Sequence, residues 1–209
     1  MQQLQPTNTV IAAPDKWNEQ ILVVKRDLLF PDNAWQGLKA VDFRNYIHII
    51  ENHKEFTARG PVETNFAYKQ IIPYLIFEYQ GLYFVMQRQA KASEQRLASK
   101  YTLGIGGHLR QEDLKGSDFF EWARREFYEE VNYQGQFTIE PLGILNDDSN
   151  NVGKAHIGFV LLLRGDSPKI SIKSELADGK LVSFTQCKAY YAAMETWSQL
   201  VFDFLQSKF

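Results

Sequence analysis

Three glutamates and an arginine share one short stretch of this chain, Arg125-Glu126-Phe127-Tyr128-Glu129-Glu130. Residues three and four apart lie on one face of a helix, so a helix here crowds Glu126, Glu129 and Glu130 together. Counting about 100° per residue from Phe119, the residues Phe120, Ala123 and Phe127 form an apolar arc. Glu130 falls inside that arc, Glu126 on its edge and Glu129 further out, while Arg125, Tyr128 and Glu121 fall towards the other side. A solvated acidic face would put the carboxylates opposite the apolar stripe, and these overlap it. Like charges at such spacings repel by about 0.2–0.5 kcal/mol per pair, more when partly desolvated. A hard divalent cation offsets that repulsion directly, because Mg²⁺ takes a few carboxylates and completes its shell with water and phosphate oxygens. Taken alone, the pattern leaves a metal site and a plain acidic surface both open.

Upstream stands Gly104-Ile105-Gly106-Gly107-His108, followed by Asp113. The glycines allow backbone turns and close approaches that a Cβ would obstruct, and a tight turn is their simpler role. The glycines, Asp113 and the arginine–glutamate run together resemble the signature of the Nudix (MutT-like) hydrolases. That signature reads glycine, five residues, Glu, seven residues, then Arg-Glu-apolar-any-Glu-Glu-any-Gly-apolar. From Gly107, five residues lead to Asp113 in place of Glu, and eleven rather than seven then precede Arg125. Counting from Gly106 instead puts Glu112 in the acidic position and lengthens the second gap by one. The second half matches fully through Glu130, with Asn132 where the signature has glycine. The extra residues around Lys115-Gly116-Ser117 fit the loop before the helix. The resemblance covers about residues 65–205, and the run from Asn146 to Gly158 resembles a poorly characterised phosphoesterase-like branch of the superfamily.

The resemblance implies roles. Glu126, Glu129 and Glu130 hold Mg²⁺ or Mn²⁺, with the Gly107 carbonyl as a further ligand. Arg125 orients a glutamate, Asp113 braces the loop against the helix, and Glu129 is the candidate base. Arg88, Arg96, His108 and His156 are candidates for contact with substrate, against ordinary roles as surface arginines and structural histidines. Asp147 and Asp148 are either added ligands or turn residues, the latter being the commoner use of such a pair.

These side chains need a scaffold. Ile21–Val24 reads as a short strand and Phe30-Pro31-Asp32-Asn33 as a turn. Residues 71–79 and 82–87 read as strands joined at Gln80-Gly81, and residues 137–145 and 155–163 as two more, with a loop over 146–153 between them. Residues 118–130 form a helix that Ser117 or Asp118 caps. A closing amphipathic helix is expected from Tyr190, Ala193, Met194, Trp197, Leu200, Val201 and Phe204. Strands interrupted by one helix and closed by another imply an α/β fold, a Nudix-type α/β/α sandwich with a mixed sheet between helices. Residues 1–60 are expected as an N-terminal extension and 61–209 as the Nudix domain. Residues 35–60 give no clear period, and the aromatics Trp35, Phe43 and Tyr46 suit base stacking, a homodimer interface or local core.

The chain has 209 residues, 44% of them apolar and 23% charged, with a net charge of -2. That is ordinary globular composition. No basic cluster of the kind that grips nucleic acid is visible, and no apolar run approaches the ~20 residues a membrane span needs. The N-terminal residues lack the pattern of a signal peptide. The single cysteine, Cys187, fits a reducing compartment and reads as a buried thiol. A cytoplasmic enzyme is expected, cleaving a pyrophosphate bond in a nucleoside diphosphate linked to another group. A non-catalytic nucleotide sensor on the same fold is the alternative. An isomerase would need a placed cysteine, and Cys187 suits that poorly.

Overall fold

In the computed structural model, which describes residues 16–88, 99–113, 118–173 and 176–208, the elements run in this order. Strand β1 (Gln20–Lys25) leads into α1 (Arg26–Leu29), β2 (Gly37–Lys39), α2 (Phe43–His53), β3 (Glu55–Ala58) and α3 (Arg59–Val62). Then come β4 (Tyr68–Tyr79), β5 (Leu82–Arg88), β6 (Tyr101–Thr102), β7 (Gly104–Gly106), α4 (Phe119–Glu130) and β8 (Val131–Tyr133). The chain continues through β9 (Phe137–Asn146), α5 (Asn151–Ala155), β10 (His156–Gly165), β11 (Ile170–Ile172) and β12 (Leu176–Ser183). It ends with α6 (Phe184–Cys187), a 3₁₀ stretch (Lys188–Ala193) and α7 (Thr196–Gln206).

The apolar run from Ile71 to Phe77 makes β4 the centre of a mixed sheet ordered β12-β5-β4-β10-β9-β2. Strand β10 lies parallel to β4, with His156 opposite Gln70. Along its other edge β4 pairs in turn with β1, β7 and β5. Strands β4 and β5 join through Gln80 (φ 48°) and Gly81 (φ 81°), the paired left-handed conformations of a tight hairpin turn.

Alternation along the strands sorts the core into two layers. Ile71, Leu75, Phe77, Ile157 and Phe159 face Trp122, Ala123 and Phe127 of α4. Tyr74, Ile76, Val160 and Leu162 face Val201, Phe202 and Leu205 of α7. The sandwich of helix, sheet and helix expected from the sequence is therefore the fold observed. Asp118 caps α4 by accepting from Glu121 N at 2.7 Å, while the Glu121 carboxylate accepts from Asp118 N. Asp118→Ala is expected to cost about 1 kcal/mol of stability in urea denaturation.

Three elements differ from the sequence expectations. The closing helix is α7 alone, since Met194 and Glu195 are extended (ψ 154° and 156°). The Glu195 carboxylate accepts from Tyr74 Oη at 2.8 Å and Thr102 Oγ1 at 2.7 Å, and Glu195 N donates to Tyr101 O at 3.0 Å. Docking this side chain beneath the sheet interrupts the helical period. The loop over 146–153 runs into α5, capped by Asn150 onto Gly153 N at 3.0 Å. Residues 35–60 hold α2, whose Asp42 cap accepts from Arg44 N and Asn45 N. From this N-terminal part, β1 pairs with β4 and β3 with β1, and β2 pairs with β9, so residues 20–58 extend the central sheet. No helix among the described residues is long and apolar enough to cross a membrane.

Candidate active site

Helix α4 presents its glutamates as the helical count predicts. Glu126 and Glu130 are half-buried and Glu129 is exposed, while Phe127 is wholly buried. Phe127 stacks on Phe77 with ring centroids 5.6 Å apart, which fixes the rotation of the helix over the sheet.

Glu126 reaches across to the glycine strand. A Cβ built on Gly107 would lie 2.1 Å from Glu126 Oε1, so only glycine lets this carboxylate approach the backbone so closely. Burial, and then the charges of Glu130 and Glu129, push the Glu126 carboxyl from its ordinary 4.5 up to about 7. The unfolded chain releases this proton near pH 4.5 and the folded protein near pH 7. The stability that the proton contributes is present below the lower value and lost as pH rises through the higher one. Glu126→Gln is therefore expected to stabilise the metal-free protein at about pH 8 by about 1–3 kcal/mol, an advantage that shrinks towards pH 5. Denaturant melts with chelator at both pH values measure it, and equal stabilities at pH 8 would contradict it.

Asp113 is only 6% exposed and joins the glycine loop to the helix. It accepts from Arg110 N at 3.0 Å, Arg110 Nε at 3.0 Å and Arg110 Nη2 at 3.1 Å, and pairs with Arg125 Nη2 at 3.0 Å. Burial alone would raise its pKa, and the bonds from Arg110 outweigh this and hold its carboxyl below the usual range. Arg125 Nε in turn lies 3.6 Å from Glu129 Oε1. Glu112, with its side chain 69% exposed, lies 3.8 Å from Arg110, and it is Asp113 that pairs with Arg125 of the helix.

His108 and His156 come together, their Nε2 atoms 3.3 Å apart. His108 Nε2 also lies 2.7 Å from Gln70 Oε1, and burial first, then Arg59 and His156, push the His108 pKa well down. Arg88 stands at the end of β5 with its Nε 3.3 Å from Glu195 Oε2, and Arg96 lies outside the described residues.

Asp147 and Asp148 serve the loop. Asp147 accepts from Gln36 Nε2, Ser149 N and Asn150 Nδ2. Asp148 pairs with both terminal nitrogens of Arg26 and, at 3.3 Å, with Lys69 Nζ. Lys69 is fully buried and also donates to Gly153 O and His156 O; burial draws its pKa down to about 8. Phe43 and Tyr46 are buried against Phe159, which resolves the aromatic segment as core. Cys187 is buried, which pushes its thiol up to about 11 and leaves it un-ionised.

Sequence reasoning missed Arg110, Gln70, Lys69 and Glu63. Arg110 sits in an aperiodic stretch and gains meaning only once Asp113 is placed. Glu63 is brought to His108 and His156 by α3, forty-five residues before the first of them in the chain.

No family model matches the chain. Protein YmaB of Bacillus subtilis strain 168 is 34% identical over 206 residues, spanning 91% of this chain and 99% of the relative. The crystal structure of Tm1382, provisionally assigned as a Nudix hydrolase, superposes with a TM-score of 0.71 at 25% identity, covering 91% of this chain and all of that one. The NUDIX domain of Shewanella oneidensis NrtR, solved with ADP ribose, shares the fold at a TM-score of 0.53 and 10% identity, over 67% of this chain and 88% of that one.

Proposed function

The chain belongs to the Nudix hydrolase superfamily, and on that premise we propose that it hydrolyses a pyrophosphate bond in a nucleoside diphosphate linked to another group. The observation that carries this reading is the Glu126 carboxylate against Gly107, with Glu129 and Glu130 beside it and space at Gly107 that no other residue type would leave. Mg²⁺ or Mn²⁺ suits this donor set, because such cations take hard carboxylate oxygens and would offset the charge that Glu130 and Glu129 impose on Glu126. Glu126, Glu129, Glu130 and the Gly107 carbonyl would hold it. When bound, the cation supplies neutralising charge at the phosphoryl oxygens and makes a nearby water easier to deprotonate.

The chain's own residues do the rest. Asp113 ties Arg125 and Arg110 together, so the helix and the glycine loop keep a fixed separation. Arg125 turns the Glu129 carboxylate, and Glu129, the most exposed of the three, takes the proton of the attacking water. The substrate is a nucleotide-type small molecule.

Incubation with Mg²⁺ or Mn²⁺ and nucleotide sugars, dinucleoside polyphosphates, ADP-ribose, coenzyme A and nucleoside triphosphates, followed by ³¹P NMR, tests the reading. Conversion of at least one diphosphate-linked compound into two phosphate-bearing products is expected. Tight binding of one compound with cleavage of none would replace the hydrolase with a nucleotide sensor.

A further inference from the structure

Gln70 and His156 sit opposite each other on neighbouring strands. Their neighbours Ile71 and Ile157 point into the layer beneath α4, so alternation turns Gln70 and His156 to the other face of the sheet. There one nitrogen of His108, one of His156 and one carboxylate oxygen of Glu63 lie within 4.8 Å of one another. None of these three belongs to the glutamate cluster of α4.

Among the described residues, the hydrogen bonds that His108 makes to Gln70 and His156 leave one buried atom, the Gln70 amide nitrogen, without a partner. His156 Nδ1 lies 2.7 Å from Val152 O, and a carbonyl only accepts, so Nδ1 carries the proton. In the neutral ring Nε2 then presents a lone pair towards His108. A proton on His108 Nε2 would face two acceptors, Gln70 Oε1 at 2.7 Å and His156 Nε2 at 3.3 Å. The Gln70 amide nitrogen, on a side chain with no exposed surface, then has no acceptor. Reversing the amide lets it donate to His108 Nε2, but sets two imidazole lone pairs face to face and leaves the amide oxygen without a donor. Buried polar groups are normally satisfied, and each exception calls for a physical cause.

A cation between the imidazoles would take up both Nε2 lone pairs, so the two rings would no longer oppose each other. In a tetrahedral site, Zn–N bonds of ~2.0–2.1 Å set ligand nitrogens ~3.3–3.4 Å apart, which is the separation of the two Nε2 atoms. Groups that would orient such ligands are also in place. His156 is oriented by its Nδ1–H on a backbone carbonyl, as metal-binding histidines usually are. Arg59 Nε holds Glu63 Oε1 at 3.1 Å, which fixes the carboxylate at the C-terminal end of α3. Two nitrogens and one carboxylate suit a borderline cation of the Zn²⁺ type better than Mg²⁺, which prefers oxygen throughout. We propose that Glu63, His108 and His156 form a second cation site, selective for Zn²⁺-like ions and separate from the α4 glutamates. Three protein ligands leave a tetrahedral ion one position open to an exchangeable ligand.

The proposal does not depend on the hydrolase reading, and the test separates the two. The full chain carrying Glu126→Gln, Glu129→Gln and Glu130→Gln, which blanks the helix, is stripped with chelator and titrated with Co²⁺. Co²⁺ reports its geometry through visible absorption, far stronger for tetrahedral nitrogen-ligated ions than for octahedral oxygen-ligated ones. One equivalent of tetrahedral type is expected, displaced by Zn²⁺. Adding His156→Gln or Glu63→Gln should weaken binding at least ~100-fold. Melting curves of every variant without metal show whether it folds, and Glu63→Gln, on a partly exposed side chain, serves if His156→Gln does not. Absence of the tetrahedral spectrum in the blanked chain, or its persistence at unchanged affinity in folded Glu63→Gln, would overturn the second site.

Discussion

Glu130→Gln and Glu129→Gln, made singly, are expected to lower turnover about 100- to 10,000-fold while leaving stability within about 1 kcal/mol of the parent. Gln matches Glu in shape but carries no charge, so each change would remove one proposed anionic ligand without opening a cavity. Glu129 is exposed and Glu130 half-buried, and neither belongs to the apolar set of Trp122, Ala123 and Phe127 that holds α4 to the sheet. A loss confined to turnover therefore belongs to the site and not to the fold. For Glu129 the loss should fall mainly on kcat, since its proposed task is to take a proton. For Glu130 it should be partly recovered by raising the Mg²⁺ concentration, since its proposed task is to hold the ion. Steady-state rates across a metal titration, with melting curves alongside, measure both. Near-full activity in both variants would remove the assignment of these glutamates.

The second large effect is expected at a residue with no side chain. In Gly107→Ala the new methyl would stand 2.1 Å from Glu126 Oε1. That oxygen is the far end of a flexible side chain, so the carboxylate swings aside at little cost to folding. Its displacement would move one proposed ligand away from the Gly107 backbone. Misplacing a supporting group at a metal site typically costs 10- to 100-fold in affinity or activity, and Gly107→Ala is expected to weaken Mn²⁺ binding by about that factor. The melting temperature should change little, because Gly107 carries no positive φ that a methyl would strain. Calorimetric titration with Mn²⁺ gives the affinity directly. Unchanged affinity would mean that Glu126 and the Gly107 backbone do not share an ion.

Much of this was legible in the residues alone, for identifiable reasons. The glutamate cluster rests on helical periodicity, a local property, and the separation of half-buried Glu126 and Glu130 from exposed Glu129 follows from it. The strands from Tyr68 to Arg88 are near-continuous apolar runs joined at Gln80-Gly81, and local propensity is enough to find them. The bridging role of Asp113 was open against Glu112, since one residue of register separates them and only the approach of Arg110 and Arg125 decides it. What stayed hidden depends on distant segments. The start of the closing helix is set by Glu195 docking onto Tyr74 and Thr102, about 120 and 90 residues away in the chain. The cluster of Glu63, His108 and His156 draws on three separate elements, and no periodicity links them.

The most direct test of the central claim is where water oxygen goes. With the compound cleaved fastest in the ³¹P NMR survey, hydrolysis is run in ¹⁸O-water with Mg²⁺, and the isotope shift of each phosphorus resonance is read. ¹⁸O is expected on one phosphorus of the original diphosphate, with no reaction after chelation and none beyond background in Glu129→Gln. Label appearing only on carbon, or equal turnover without a divalent cation, would contradict that claim.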